Sequence, residues 1–209
     1  MAGPASAKDE RSNADAAAAR QPRRRRIAEP RLARSPVVLL LVDFINPLRF
    51  DGAERLSPRA VAAAIACARL RRRLRDRGLQ TIYANDNYGV WRADFADLWR
   101  RCSRMRGAPG AVARTLRPLA GDCTLLKPRH SAFHGTALDL LLRQLACKRL
   151  IVTGLATDSC VLFTAMDAYL RGYELWVPED CTAAETADDH RAALAQMNRV
   201  LKAHTRAAV

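Results

Sequence analysis

The chain has 209 residues, 49% hydrophobic and 27% charged, a composition suited to one domain with a sizeable core. No stretch approaches the run of about 18 apolar residues that a spanning helix needs, so no membrane association is expected. The net charge of +14 raises nucleic acid as a partner, but its distribution disfavours that class. The first 35 residues hold 9 Lys/Arg and 4 Asp/Glu, and the remaining excess is nearly all arginine, scattered as a background bias rather than a binding stripe.

Residues 1–35 are Ala, Arg, Pro and polar, and include Arg23-Arg24-Arg25-Arg26. They lack the apolar periodicity that offsets ordering entropy and are expected to form a disordered basic extension, with residues 36–209 as the folded domain. No apolar segment follows the arginines, so a secretory signal is disfavoured. The six cysteines (Cys67, Cys102, Cys123, Cys147, Cys160, Cys181) show no CxxC pair and no histidine at zinc-ligand spacing. They read as reduced thiols of a cytoplasmic protein.

From Pro36 onward the pattern is strand, loop, helix, repeated. Val37 to Val42 is a continuous apolar run, as in a strand buried on both faces, and it ends at Asp43. Ser57-Pro58 reads as the start of a helix that runs to about Arg77 and stops at Gly78. Leu79 to Ala84 is a second strand, leading into the loop Asn85-Asp86-Asn87-Tyr88-Gly89. Residues 93–104 suit a short helix, and Ala111 to Leu119 a helical or irregular stretch. Cys123 to Leu126 is a short strand ending at Lys127, and Thr136 caps a helix bearing Leu138, Leu141, Leu142 and Leu145. Arg149 to Thr153 is another buried strand, followed by Gly154 and a helix from about Ser159 to Arg171. Glu174 to Val177 is the last strand, and residues 185–204 close the domain with an amphipathic helix. The expected fold is α/β: a three-layer, doubly wound, mainly parallel sheet with helices on both faces.

In such sheets ligands bind beyond the carboxyl ends of the strands. Asp43 and Lys127 end strands, and Cys160 follows one by a few residues, so a carboxylate, an amine and a thiol converge on one crevice. At the start of a helix the Cys160 thiol meets the positive end of the dipole, which is expected to lower its pKa. The residue alone leaves two roles open, apolar filler or nucleophile. Asp43 is open between a proton acceptor and a loop hydrogen-bonding group, and Lys127 between a charge partner and a solvated surface lysine.

Three segments together resemble the isochorismatase-like cysteine hydrolases, which include nicotinamidases, N-carbamoylsarcosine amidases and isochorismatases. They are Leu39 to Asn46 with its Asp43, the run Lys127-Pro128 through Ser131-Ala132-Phe133 to Gly135-Thr136, and Gly154-Leu155-Ala156-Thr157-Asp158 with Cys160-Val161. The later Val177-Pro178-Glu179-Asp180-Cys181-Thr182-Ala183 and His190 also fit, so the likeness covers about residues 36–201 in the family's order. The resemblance implies an Asp43–Lys127–Cys160 triad, a cis peptide at Leu155–Ala156, and an oxyanion hole from the N–H groups of Ala156 and Cys160.

It further implies a small-molecule substrate cleaved at an amide or ureido C–N bond through a thioester on Cys160. By analogy it implies a homo-oligomer, dimer or tetramer. Metal-dependent relatives carry Asp-x-His and further histidines after the second strand, and Asn85-Asp86-Asn87-Tyr88-Gly89 departs from that pattern. No metal and no cofactor are therefore expected. Phe44, Asn46, Asn87, Tyr88, Trp91, Phe95, Phe133 and His134 are candidate substrate contacts, with loop packing as the alternative for the aromatic ones. His130 and His134 both flank Phe133 near the crevice, whereas His190 and His204 read as structural. Two other functions compete: vinyl-ether cleavage with a carboxylate as acid, and an idle binding or assembly protein with a basic tail.

Overall fold

A computed structural model describes residues 32–208, so the basic extension lies almost wholly outside the described residues. Ser35, placed by sequence in that extension, is packed. Its N–H donates to Leu145 O at 2.8 Å, and its hydroxyl accepts from Gln80 N at 2.9 Å.

Six strands form one sheet in the order β3-β2-β1-β4-β5, with β6 also on β4, and every pairing is parallel. The strands are β1 Val37–Val42, β2 Gln80–Asp86, β3 Cys123–Lys127, β4 Arg149–Leu155, β5 Glu174–Trp176 and β6 Thr182–Ala183. The β1 side chains alternate between two cores, Leu39 and Leu41 to one face, Val38, Leu40 and Val42 to the other. Burial on both sides explains its unbroken apolar run. Helices α1 (Ala53–Arg75), α2 (Phe95–Ser103) and α3 (Ala108–Thr115) pack on the first face. Helices α4 (Leu138–Gln144), α5 (Leu162–Leu170) and α6 (Ala187–Leu201) pack on the second. This is the expected three-layer parallel architecture.

Among the boundaries that shift from the sequence reading, two change how a helix begins. Helix α1 starts a turn earlier, at Ala53, because Gly52 takes φ 89 and its carbonyl accepts from Arg55 and Leu56. Ser57 is then no cap; its hydroxyl donates to Ala53 O at 2.7 Å, and Pro58 sits inside the helix. Between β4 and α5 the chain makes a wide π-type turn, Thr157–Val161, rather than entering an α-helix at Ser159.

The sheet reverses strand order at β1, whose neighbours are β2 and β4, and the crevice of a doubly wound sheet opens at that point. Gly154 makes this end of the sheet possible. It takes φ +131, and a Cβ there would lie 1.9 Å from Val42 O.

Candidate active site

Val42 pairs with both Ala84 and Gly154, so Asp43 leaves β1 at the centre of the sheet's carboxyl edge. It takes φ 50, while its N–H still donates to Ala84 O at 3.0 Å. Its Oδ1 accepts from the Asp86 N–H at 2.7 Å, and its Oδ2 lies 2.6 Å from Lys127 Nζ. Lys127 ends β3 opposite Asp86 and is fully buried. Its three ammonium hydrogens meet Asp43, Arg129 O at 3.1 Å and Cys160 Sγ at 3.5 Å. The second carboxylate, Asp86, stands 4.0 Å away. Asp43, Lys127 and Cys160 thus meet in one cluster.

The charges follow from that packing. Burial pushes Asp43 above the usual carboxylate value, and Lys127, Cys160 and the Asp86 N–H oppose it without cancelling it. Burial pulls Lys127 down, but the fields of Asp43, Cys160 and Asp86 outweigh it and leave the ammonium above the usual lysine value. Burial and then the Asp43 carboxylate push the Cys160 thiol up to about 12, against Lys127 and Ser159. Desolvation and an adjacent negative charge thus shift the thiol upward, opposite to the lowering expected from the start of a helix.

The peptide bond Leu155–Ala156 is cis. In the turn that follows, the N–H groups of Ser159 and Val161 both donate to Ala156 O at 3.1 Å. Neither is therefore free to hold an oxyanion.

The remaining candidates divide. Tyr88, in a left-handed conformation, has its N–H on Asp86 Oδ1 at 2.5 Å. Burial and the charges of Asp43 and Asp86 raise its hydroxyl pKa, which places it in the field of the site. Asn87 donates its N–H to Lys127 O at 3.0 Å and accepts from Gly89 N, so it shapes this loop, with Trp91 exposed beyond it. Asn46 is committed to Leu48 N at 2.8 Å. Phe44, Phe95 and Phe133 follow the packing alternative, each being buried in a hydrophobic cluster. His134 is exposed and lies near Asp167 of α5, whose carboxylate it favours.

His130 is the histidine at the thiol, with Nδ1 3.5 Å from Cys160 Sγ and 3.5 Å from Ser159 Oγ. Sequence spacing put His130 and His134 equally near. What separates them is the fold of the Lys127–Arg129 turn, pinned by the Lys127 ammonium on Arg129 O. Asn85 donates to Ile45 O and Asp86 accepts from Tyr88 N, and among the described residues no group of three or more His, Cys, Asp or Glu is placed to hold an ion.

A parallel α/β sheet bearing thiol, ammonium and carboxylate at its switch point defines a hydrolase-type site. The isochorismatase-domain family matches residues 37–208, and the chain belongs to this family of hydrolases. It is 37% identical over 170 residues to the uncharacterized isochorismatase family protein YaaI of Bacillus subtilis, covering 81% of this chain and 93% of that one. It is 30% identical over 164 residues to maleamate amidohydrolase of Pseudomonas putida, covering 75% and 76%. Among solved structures, the N-carbamoylsarcosine amidase of Thermoplasma acidophilum superposes with a TM-score of 0.64 at 30% identity, over 82% of this chain and 95% of that one.

Proposed function

We propose that the protein is a metal-independent cysteine hydrolase that cleaves an amide or ureido C–N bond of a small molecule. The observation that carries this reading is the Lys127 ammonium held between the Asp43 carboxylate at 2.6 Å and the Cys160 thiol at 3.5 Å. Asp43 takes the thiol proton as Sγ attacks the carbonyl carbon, and Lys127 offsets the negative charge that passes between them. The N–H groups of Ala156 and Cys160 hold the oxyanion. The intermediate collapses to a thioester as the amine leaves with the proton from Asp43, and water then releases the acid and restores the thiol. A neutral resting thiol fits this scheme, because the proton moves only when a carbonyl is in place.

The names of similar proteins support amide and carbamoyl substrates: maleamate amidohydrolase and N-carbamoylsarcosine amidase act on such C–N bonds. A homo-oligomer in the cytoplasm belongs to the same reading, and sedimentation tests the oligomer. The direct test is a screen of small amides, carbamoyl compounds and ureides with released ammonia as readout. Ammonia should appear with the wild-type protein and vanish with Cys160→Ala; turnover that survives Cys160→Ala overturns the reading.

A further inference from the structure

The triad leaves an imidazole beside the thiol unused. His130 Nδ1 is 3.5 Å from Cys160 Sγ, and its ring packs against Phe163 with centroids 5.4 Å apart and an interplanar angle of 34°. Phe163 lies three residues beyond Cys160, so the segment that carries the thiol also holds the imidazole. His130 is exposed, whereas Asp43 is only 4% exposed and Lys127 is fully buried. The thiol therefore has a buried ionic side and an open side, and the imidazole belongs to the open one.

That division matters for the leaving group. Substrate and water reach Sγ from the open side, and once a carbonyl carbon is bonded to sulfur, the leaving nitrogen is two bonds from it. A group 3.5 Å from sulfur can reach that nitrogen. Both Asp43 oxygens are already engaged, one by the Asp86 N–H and the other by Lys127.

We propose that His130 is a second catalytic acid–base residue, which protonates the leaving nitrogen and then activates the hydrolytic water, while Asp43 carries only the thiol proton. The proposal rests on the hydrolase reading above and revises one step of it. In acylation the Sγ–H proton passes to Asp43, the S–C bond forms, and the C–N bond breaks as His130 gives its Nδ1 proton to nitrogen. In deacylation neutral His130 takes a proton from water, the hydroxide adds to the thioester carbon, and the departing sulfur recovers its proton from Asp43. The cycle returns thiol, carboxylate and imidazolium, with no further reactant than water.

The test compares two probes with the same acyl group, p-nitroacetanilide and p-nitrophenyl acetate, on wild type and His130→Gln, with circular dichroism as the check on folding. The anilide needs a proton on its leaving nitrogen; the phenolate leaves without one. The expected result is a loss of about 10²–10³-fold in kcat/KM for the anilide and less than about threefold for the ester. Equal losses on both probes, or none on either, overturn the proposal, as does a wild type that cleaves the ester but not the anilide. A wild type that forms no Cys160-dependent product from either probe overturns the hydrolase reading itself, and the proposal with it.

Discussion

Replacing Asp43 with Asn should make Cys160 react faster with an alkylating agent while abolishing its catalysis. In the wild type a thiol pushed up to about 12 is ionised in about one molecule in 10⁵ at pH 7. Lys127 Nζ lies 2.6 Å from the Asp43 carboxylate and 3.5 Å from Sγ, so carboxylate and sulfur are within about 6 Å of each other. At an effective dielectric of about 20, like charges at about 6 Å repel by about 3 kcal/mol, a factor of about 100 in thiolate population. A thiolate of lower pKa is a weaker nucleophile, and a Brønsted coefficient of about 0.5 takes back about tenfold. The net expectation for Asp43→Asn is about a tenfold faster reaction of Cys160 with iodoacetamide at pH 7, read by peptide mass mapping. Amide turnover by the same variant should fall by about 10²-fold or more, because nothing then accepts the thiol proton. Unchanged or slower alkylation would refute the reasoning that the Asp43 charge holds the thiol neutral.

Asp43 must be ionised to accept that proton, and burial holds its pKa above the ordinary 3.8. Activity should therefore fall as pH drops through the raised value, and a kcat/KM that stays flat down to pH 4 contradicts this. The folded state also keeps the Cys160 proton from its ordinary 9.0 up to about 12, so its stabilising contribution is complete below pH 9 and lost as pH rises towards 12. Urea titrations of Cys160→Ser between pH 9 and 11 should show a shallower decline than the wild type; an equal slope argues against the shift. Gly154→Ala drives a Cβ to 1.9 Å from Val42 O at φ +131, and should cost about 3 kcal/mol or more in urea unfolding. A mild effect there would mean that β1 and β4 part easily. Asp122→Asn removes the partner of the buried Arg71 guanidinium, for a loss of about 3–5 kcal/mol with activity per folded molecule unchanged. A fall in specific activity would tie that pair to the site.

Much of the fold was legible because β1 and the centre of β4 are buried on both faces and so appear as apolar runs, Val37–Val42 ahead of Asp43 and residues 150–152 ahead of Thr153. The carboxyl edge of a parallel sheet collects whatever ends its strands, which is why Asp43, Lys127 and Cys160 could be grouped before any coordinates. Strand β6 was missed because two residues, Thr182 and Ala183, carry no periodicity. The start of α1 was misjudged because Ser57-Pro58 has the chemistry of a helix start, while the actual start depends on the positive φ of Gly52. The chain leaves Phe44, Phe95 and Phe133 open between substrate contact and packing, and only tertiary structure turns each into a core. The sign of the Cys160 shift was also beyond local reasoning. The helix start is visible in the chain, but the desolvation and the carboxylate that outweigh it arrive through tertiary packing.

The central claim is a covalent bond between substrate carbonyl and Cys160, and intact-protein mass spectrometry after rapid acid quench measures it directly. With p-nitrophenyl acetate the account predicts an added acetyl mass that maps to the Cys160 peptide and is absent from Cys160→Ala. Product formation with no adduct on Cys160, or an adduct carried by another cysteine while Cys160→Ala still turns over, would contradict it.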